Sequence, residues 1–280
     1  STLNPGDEVI VPNPTYPAYS AAADLLGVKV VSVPLLEEKG FRISAEDIEN
    51  SITDKTKMII INNPNNPTGT MLEKKDVESI LELARKKELI VLADEIYDNI
   101  IFDGRKHNSF LTCEEDKKNV ILVNGFSKTY AMTGWRLGYL VSNEEFADAF
   151  MKAVLNTVSC TCSFAQKAAV AALKGPQDDV KRMVEEYEKR RNVIDEELNK
   201  IPKVSCVKPQ GAFYAFPNVK RIGESRKVAE ELLEKKGVAL LWGSAFGSRG
   251  EGYIRISFAT SIERIREGLR RFREYVEEKE

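Results

Sequence analysis

The chain has one histidine, His107, which leaves no room for a metal site built on two imidazoles or for a mechanism with paired histidine bases. Its four cysteines, Cys113, Cys160, Cys162 and Cys206, form no CxxC pair and no dense framework. Free thiols in a reducing, cytoplasmic compartment are therefore expected. No run of about eighteen apolar residues occurs, which argues against a membrane-spanning helix. An excess of one charge is missing too. Lys and Arg number 41 against 43 Asp and Glu, a formal net charge of −2, so nothing favours nucleic acid or an anionic membrane as partner. Neither GxxxxGK[ST] nor GxGxxG is present, which removes the phosphate-loop and dinucleotide fingerprints. Ser1 is followed by no basic leader and no apolar stretch of signal type. The opening reads as a turn, Asn4-Pro5-Gly6-Asp7, entering a strand, and fits a processed chain and a start inside a larger domain equally well.

What is present suggests about two domains at roughly 150 residues each, and 42% hydrophobic residues are enough for a packed core. Short apolar runs recur at 9–11, 28–33, 58–61, 89–93, 120–123 and 137–141. They do not alternate strictly, so they predict strands covered on both faces. Segments 16–26, 74–87 and 144–155 have helical character, and Val77, Ile80, Leu81 and Ala84 form one apolar stripe in the second. This alternation predicts an α/β domain with a mostly parallel sheet and right-handed crossovers. The texture changes after about residue 160. An Ala-rich apolar stretch ends at Gly175-Pro176, and a long charged helix follows over 178–200, with Val180, Met183, Val184, Tyr187, Arg191 and Ile194 as its partly buried stripe. Smaller pieces come next: an extended PQGAFYAF, a helix over 226–236, strands near 238–241 and 253–259, and a final helix with Ser261 as N-cap. The expected division is a large α/β unit over 1–175, a connecting helix over 176–200 and a small α+β unit over 201–280.

Open α/β sheets place ligands at the carboxyl ends of their strands. Asp94 and Tyr97 follow one such run. Asn62, Asn63, Asn65 and Asn66, with Pro64, Pro67 and Gly69, follow another. Turn chemistry accounts for most of that second segment, though not for so many amides at one sheet edge. Ser127, Lys128, Thr133, Gly134 and Arg136 stand between two further strands. A lysine on such a loop binds phosphate as a point charge or acts as an amine nucleophile. Lysine, acid, phenol and arginine at three strand ends fit either a phosphate-bearing carbonyl cofactor or a simple anion site. His107 reads as a solvent-facing loop residue, Cys160 and Cys162 as packing residues, and the charges over 181–191 as a solvated helix face.

Seven segments carry a resemblance that runs in order over the whole chain: NPTYPAY (13–19), NNPNNPTG (62–69), ADEIY (93–97), SKTYAMTGWRLGY (127–139), PQGAFYAF (209–216), GSAFG (243–247) and YIRISFA (253–259). Together they resemble the class I/II aminotransferases, fold-type I pyridoxal-phosphate enzymes, of the aspartate and aromatic branch. The resemblance implies a three-layer sandwich with a mostly parallel central sheet and a small C-terminal α+β domain. It implies pyridoxal 5'-phosphate as cofactor, ping-pong amino transfer between an amino acid and a 2-oxo acid, and a homodimer in the complete protein.

By the same resemblance, Lys128 holds the cofactor as a Schiff base and acts as the base. Asp94 faces the pyridine nitrogen, Tyr97 and Asn66 donate to the ring's O3′, and Tyr16 stacks on the ring. Arg136 and Ser127 hold the phosphate. Arg255 binds the substrate carboxylate, with Asn66 beside it.

Two positions depart from the pattern. Gly125 stands where many relatives have a phosphate-binding serine, and Trp242 precedes Gly243 where proline is commoner, which is expected to reshape the substrate mouth. A front segment of about a hundred residues, with a Gly-rich loop that cradles the phosphate at a helix N-terminus, has no counterpart in this sequence. A weakly held cofactor and little turnover are the expectation on that count. A C–S lyase needs the same lysine, aspartate, tyrosine and arginine and stands as the alternative. A DNA-binding regulator of this fold is disfavoured, since no winged-helix segment is appended.

Overall fold

A computed structural model describes residues 1–114 and 117–279. Each of the six apolar runs forms a strand: β1 (Glu8–Asn13), β2 (Lys29–Pro34), β3 (Thr56–Asn62), β4 (Ile90–Asp94), β5 (Val120–Gly125) and β6 (Gly138–Val141). They make one sheet in the order β2-β1-β3-β4-β5-β6, parallel except for β6, which runs antiparallel to β5. The helices are α1 (Ala18–Leu25), α2 (Ala45–Glu49), α3 (Lys74–Lys86), α4 (Phe110–Cys113), α5 (Glu144–Thr157), α6 (Ser163–Lys174), α7 (Asp178–Leu198), α8 (Ser225–Lys236) and α9 (Ile262–Glu277). A second sheet, β7-β9-β8, joins β7 (Tyr214–Ala215), β8 (Leu241–Trp242) and β9 (Ile254–Ser257), all antiparallel.

The continuous apolar runs have a simple cause. Successive side chains of a strand point to opposite faces, and both faces of the central strands are covered. Ile10, Ile59, Ile61, Val91 and Ala93 pack on one side against Val77, Ile80 and Leu81 of α3. Val9, Val11, Met58 and Ile60 pack on the other, with Ala23 of α1 and Phe146 and Phe150 of α5. The expected stripe of α3 is fully buried, each aliphatic side chain contributing about 1.5–3 kcal/mol. Double coverage fails at the sheet margins. Tyr139, Leu140 and Val141 of β6 are exposed, and only Val33 of β2 is fully buried. Both are outermost strands, a property of the pairing order that a short apolar run does not encode. α5 likewise has no buried residue.

The later part is built from shorter strands than expected. The strand near 238–241 shrinks to Leu241–Trp242, and that over 253–259 to Ile254–Ser257. Helices α7, α8 and α9 supply Ile194, Leu198, Val228, Leu232, Leu269 and Phe272 to a core that also takes Tyr97, Ile100 and Phe102 from the segment after β4. Arg191 of α7 is fully buried and grips Asp103 with two nitrogens, at 2.9 and 2.6 Å, while donating to the Pro209 carbonyl. Ser261 caps α9 through the Arg264 N–H, as expected.

The Asn-rich segment after β3 lies against PQGAFYAF. A Cβ on Gly69, which has φ +70°, would stand 2.7 Å from the Tyr214 carbonyl oxygen, and one on Gly211 would stand 2.6 Å from Pro64 Cγ. Glycine at both positions lets the two segments touch.

Candidate active site

The carboxyl ends of β3, β4 and β5 open into a cavity of about 550 Å³. Asn66, Asp94, Tyr97, Ser127, Lys128 and Arg136 line it from the sheet side, Tyr16 from the start of α1 and Arg255 from β9. All eight residues given a role by the family resemblance thus face one space. Tyr19, Asn62, Thr133 and Tyr214 line it as well and were not assigned roles from the sequence. Tyr19 carried a signal: it is a second tyrosine of the NPTYPAY segment, three residues past Tyr16.

Asp94 ends β4, where strand pairing sets it beside Asn62 of β3 and Val123 of β5. The Ile96 N–H donates to its Oδ1 at 3.1 Å, and the Tyr19 hydroxyl donates to its Oδ2. Burial pushes the carboxyl upward, and the Tyr19 and Ile96 hydrogen bonds oppose it. Tyr19 itself is held well above the usual phenol range, by burial first and by the charge of Asp94 second, so it is a protonated donor. Tyr97 is buried with its hydroxyl 3.1 Å from that of Tyr214, and burial raises its pKa too.

The crowded amides divide their work. Asn62 accepts from the Asn66 N–H at 2.7 Å and donates to the Asp94 carbonyl at 3.1 Å. Asn63 accepts from the Leu72 N–H, and Asn65 from Thr68. Only Asn66 among the four bonds an arginine of the cavity, its Oδ1 accepting from Arg255 at 3.0 Å.

Arg255 lies over the rings of Tyr214 and Phe246, at 4.4 and 4.7 Å from their centroids. Its Nε is buried without a partner. Lys128 sits 5.5 Å from the centroid of Phe213 and, among the described residues, has no carboxylate within ion-pair distance. Burial, then the charges of Arg255 and Arg136, push its amine below the usual lysine range. Arg136 takes a left-handed conformation, φ 52°, and donates one N–H to the Thr133 carbonyl. Arg136 is exposed and Ser127 half-buried where they line the cavity.

The two departures from the family pattern have different outcomes. A Cβ on Gly125 would stand 3.0 Å from the Leu137 carbonyl oxygen and 3.2 Å from Gly138 Cα, so β5 and β6 lie too close there for an unshifted serine. Trp242 lies under Arg226, 5.4 Å from its ring centroid, and does not line the cavity, contrary to the expectation that it shapes the mouth.

His107 also differs from expectation. It is not solvent-facing: its Nε2 lies 2.9 Å from Glu95 Oε2, and its side chain is 12% exposed. Glu95 follows Asp94 and so points the other way, into the protein, where a carboxylate requires partners. His107 and the Phe110 N–H provide them. Cys160 and Cys162, expected to pack, are exposed between α5 and α6. Among the described residues no group of His, Cys, Asp or Glu is gathered for a metal ion, and no helix is long and apolar enough to cross a membrane.

The sequence profile of the family described as Aminotransferase class I and II matches residues 1–272. The chain is 42% identical over 280 residues to the aromatic-amino-acid aminotransferase 2 of Thermococcus litoralis, covering 99% of this chain and 72% of that protein. It is 44% identical over 282 residues to an aspartate aminotransferase of Sulfolobus acidocaldarius, covering 98% and 70%. Among solved structures, the aromatic aminotransferase from Pyrococcus horikoshii matches with a TM-score of 0.96 at 40% identity, over 99% of this chain and 74% of that one.

Proposed function

The chain belongs to the class I and II aminotransferases, and on that footing we propose how its cavity serves pyridoxal-phosphate-dependent amino transfer between an amino acid and a 2-oxo acid. One observation carries the assignment. Asp94 and Lys128 face the same cavity, yet among the described residues neither forms an ion pair. A desolvated acid without a cation and a lysine amine without an anion fit a ligand with a basic nitrogen on one side and a carbonyl on the other. Arg136, with free donors, suits its phosphate, and the orphaned Nε of Arg255 suits a carboxylate.

When bound, the cofactor supplies an aldehyde that takes up the amino group and a ring that draws electrons from the substrate's Cα. The protein does the rest. Asp94 keeps a proton on the ring nitrogen. Tyr97 and Asn66 hold the ring's phenolic oxygen, and Tyr16, 46% exposed, covers the ring face. Arg136 and Ser127 bind the phosphate. Arg255 fixes the α-carboxylate and thereby the direction of the bond to be broken. Lys128, whose amine is the more easily deprotonated for its burial and its arginine neighbours, would take the proton from Cα and deliver it to the carbon that was the cofactor's aldehyde.

A reducing, cytoplasmic setting is proposed on the four free thiols. A homodimer is proposed on the exposed apolar side chains Leu140, Val141, Met151 and Val154. Aspartate and aromatic amino acids are the donors we propose, with 2-oxoglutarate as acceptor. The test is a donor panel of aspartate, phenylalanine and tyrosine in the presence of pyridoxal phosphate, with cystathionine as the lyase arm. Appearance of glutamate with each donor's 2-oxo acid is expected. Thiol release from cystathionine without amino transfer would overturn the assignment in favour of a C–S lyase.

A further inference from the structure

Tyr19 lines the cavity, and the reading above gives it no task. It stands in the first turn of α1, three residues after Tyr16, and the two rings meet edge-on with centroids 5.6 Å apart at 80°. Its hydroxyl is the only side-chain donor to Asp94 among the described residues, on Oδ2, while the Ile96 N–H holds Oδ1. The two donors come from different elements, α1 and the turn after β4, so together they fix the plane of the carboxylate. The other charged or titratable groups acting on Asp94 are Glu95 and Tyr97 of its own segment and Lys128 from the segment after β5. Glu95 is taken up by His107 and the Phe110 N–H. Lys128 makes no ion pair with Asp94. The Tyr19 hydroxyl is therefore the group that opposes the effect of burial on Asp94 most strongly.

We propose that Tyr19 is a positioning residue, whose hydroxyl orients the Asp94 carboxylate and favours its charged form while its ring braces Tyr16. The proposal rests on the assignment of Asp94 to the cofactor's ring nitrogen. Because the phenol keeps its own proton, the donor persists throughout the range in which an aminotransferase works. A purely structural tyrosine would support Tyr16 and leave the behaviour of Asp94 unchanged.

Tyr19→Phe keeps the ring against Tyr16 and deletes the donor. In the cofactor-free protein, the 13C carboxyl resonance of Asp94, assigned with Asp94→Asn, should titrate about one unit or more higher in Tyr19→Phe, as expected for loss of a hydrogen bond to a charged group. Incorporation of 3-fluorotyrosine at position 19 preserves the shape and strengthens the donor, so the same resonance should move the opposite way. With pyridoxal phosphate and substrates, Tyr19→Phe should lower kcat about tenfold or more, with donor KM within about twofold, and should have no further effect in the Asp94→Asn background. An Asp94 titration identical in parent, Tyr19→Phe and fluorotyrosine proteins would overturn the proposal, as would a shifted titration with unchanged kcat. A parent protein that fails to turn over faults the functional reading instead, and the Asp94 titration then still decides the Tyr19 contact.

Discussion

Within the cavity the acid, Asp94, already has its partners. Tyr19 and the Ile96 N–H occupy its two oxygens, and Asn62 and the Asn63 N–H bond its backbone carbonyl. Lys128, Arg136 and Arg255 present three positive groups to the same cavity, and among the described residues none meets a carboxylate. Arg136 bonds the Thr133 carbonyl, and Arg255 bonds the Asn66 amide oxygen. The acid is therefore arranged by the protein itself, whereas the cations have donors left for anions brought in. In the proposed reading two arginines match two anions, a phosphate and a substrate carboxylate. The mutual repulsion left without them is part of what lowers Lys128, after burial.

Substitutions of the acid and of the cations should fail in different ways. The largest effect is expected for Lys128→Ala, which removes the base: kcat should fall by at least about 10²–10⁴-fold, read in a transamination assay with the substitution confirmed by intact mass. Asp94→Ala follows, with a loss on the order of 10²–10³ for every donor alike, since it weakens stabilisation of developing charge rather than substrate capture. Equal losses across the donor panel are the check. Arg255→Leu breaks a charge-assisted clamp worth about 1.5–3 kcal/mol, so KM for donor and for acceptor should rise together, with kcat falling less. A KM unchanged from the parent would remove Arg255 from the substrate clamp.

Gly125→Ser would add a hydroxyl where β5 and β6 lie close. It should lower the thermal midpoint by a few degrees, on a cost of about 1–3 kcal/mol. The smallest effect concerns the cofactor-free protein. Lys128 titrates lower when folded than when unfolded, so between those two values the unfolded chain holds more protons and stability rises with pH. Lys128→Met should be more stable than the parent at neutral pH. The difference should shrink as pH climbs towards the ordinary lysine range, as followed by urea unfolding at several pH values.

Much of this was readable in advance. The six strands announced themselves because β1, β3, β4 and β5 are buried on both faces and have no polar side to interrupt the run. The same feature misled at β6, whose Tyr139, Leu140 and Val141 look as apolar as any core strand and are exposed. Asn66, Asp94, Tyr97, Ser127, Lys128 and Arg136 were readable because they lie in segments that follow strands paired at one edge, whereas Tyr16 and Arg255, the latter inside β9, were readable only through the family's motifs. Tyr19 was not, since its importance lies in a contact with a residue 75 positions away. His107 was misjudged for the same reason: its polar neighbours said surface, and Glu95, twelve residues earlier, drew it inward. The Asn cluster was visible as a cluster, but which amide fastens the loop and which meets Arg255 depends on how the loop lies against β9.

The central claim is that Lys128 bonds the cofactor opposite Asp94, and it can be tested by trapping. Pyridoxal phosphate is added to the protein, the mixture is reduced with borohydride, and the labelled peptides are identified by mass spectrometry. A pyridoxyl phosphate label on Lys128, absent from Lys128→Ala, is the expected result. Label scattered over surface lysines with Lys128 unmodified would contradict it.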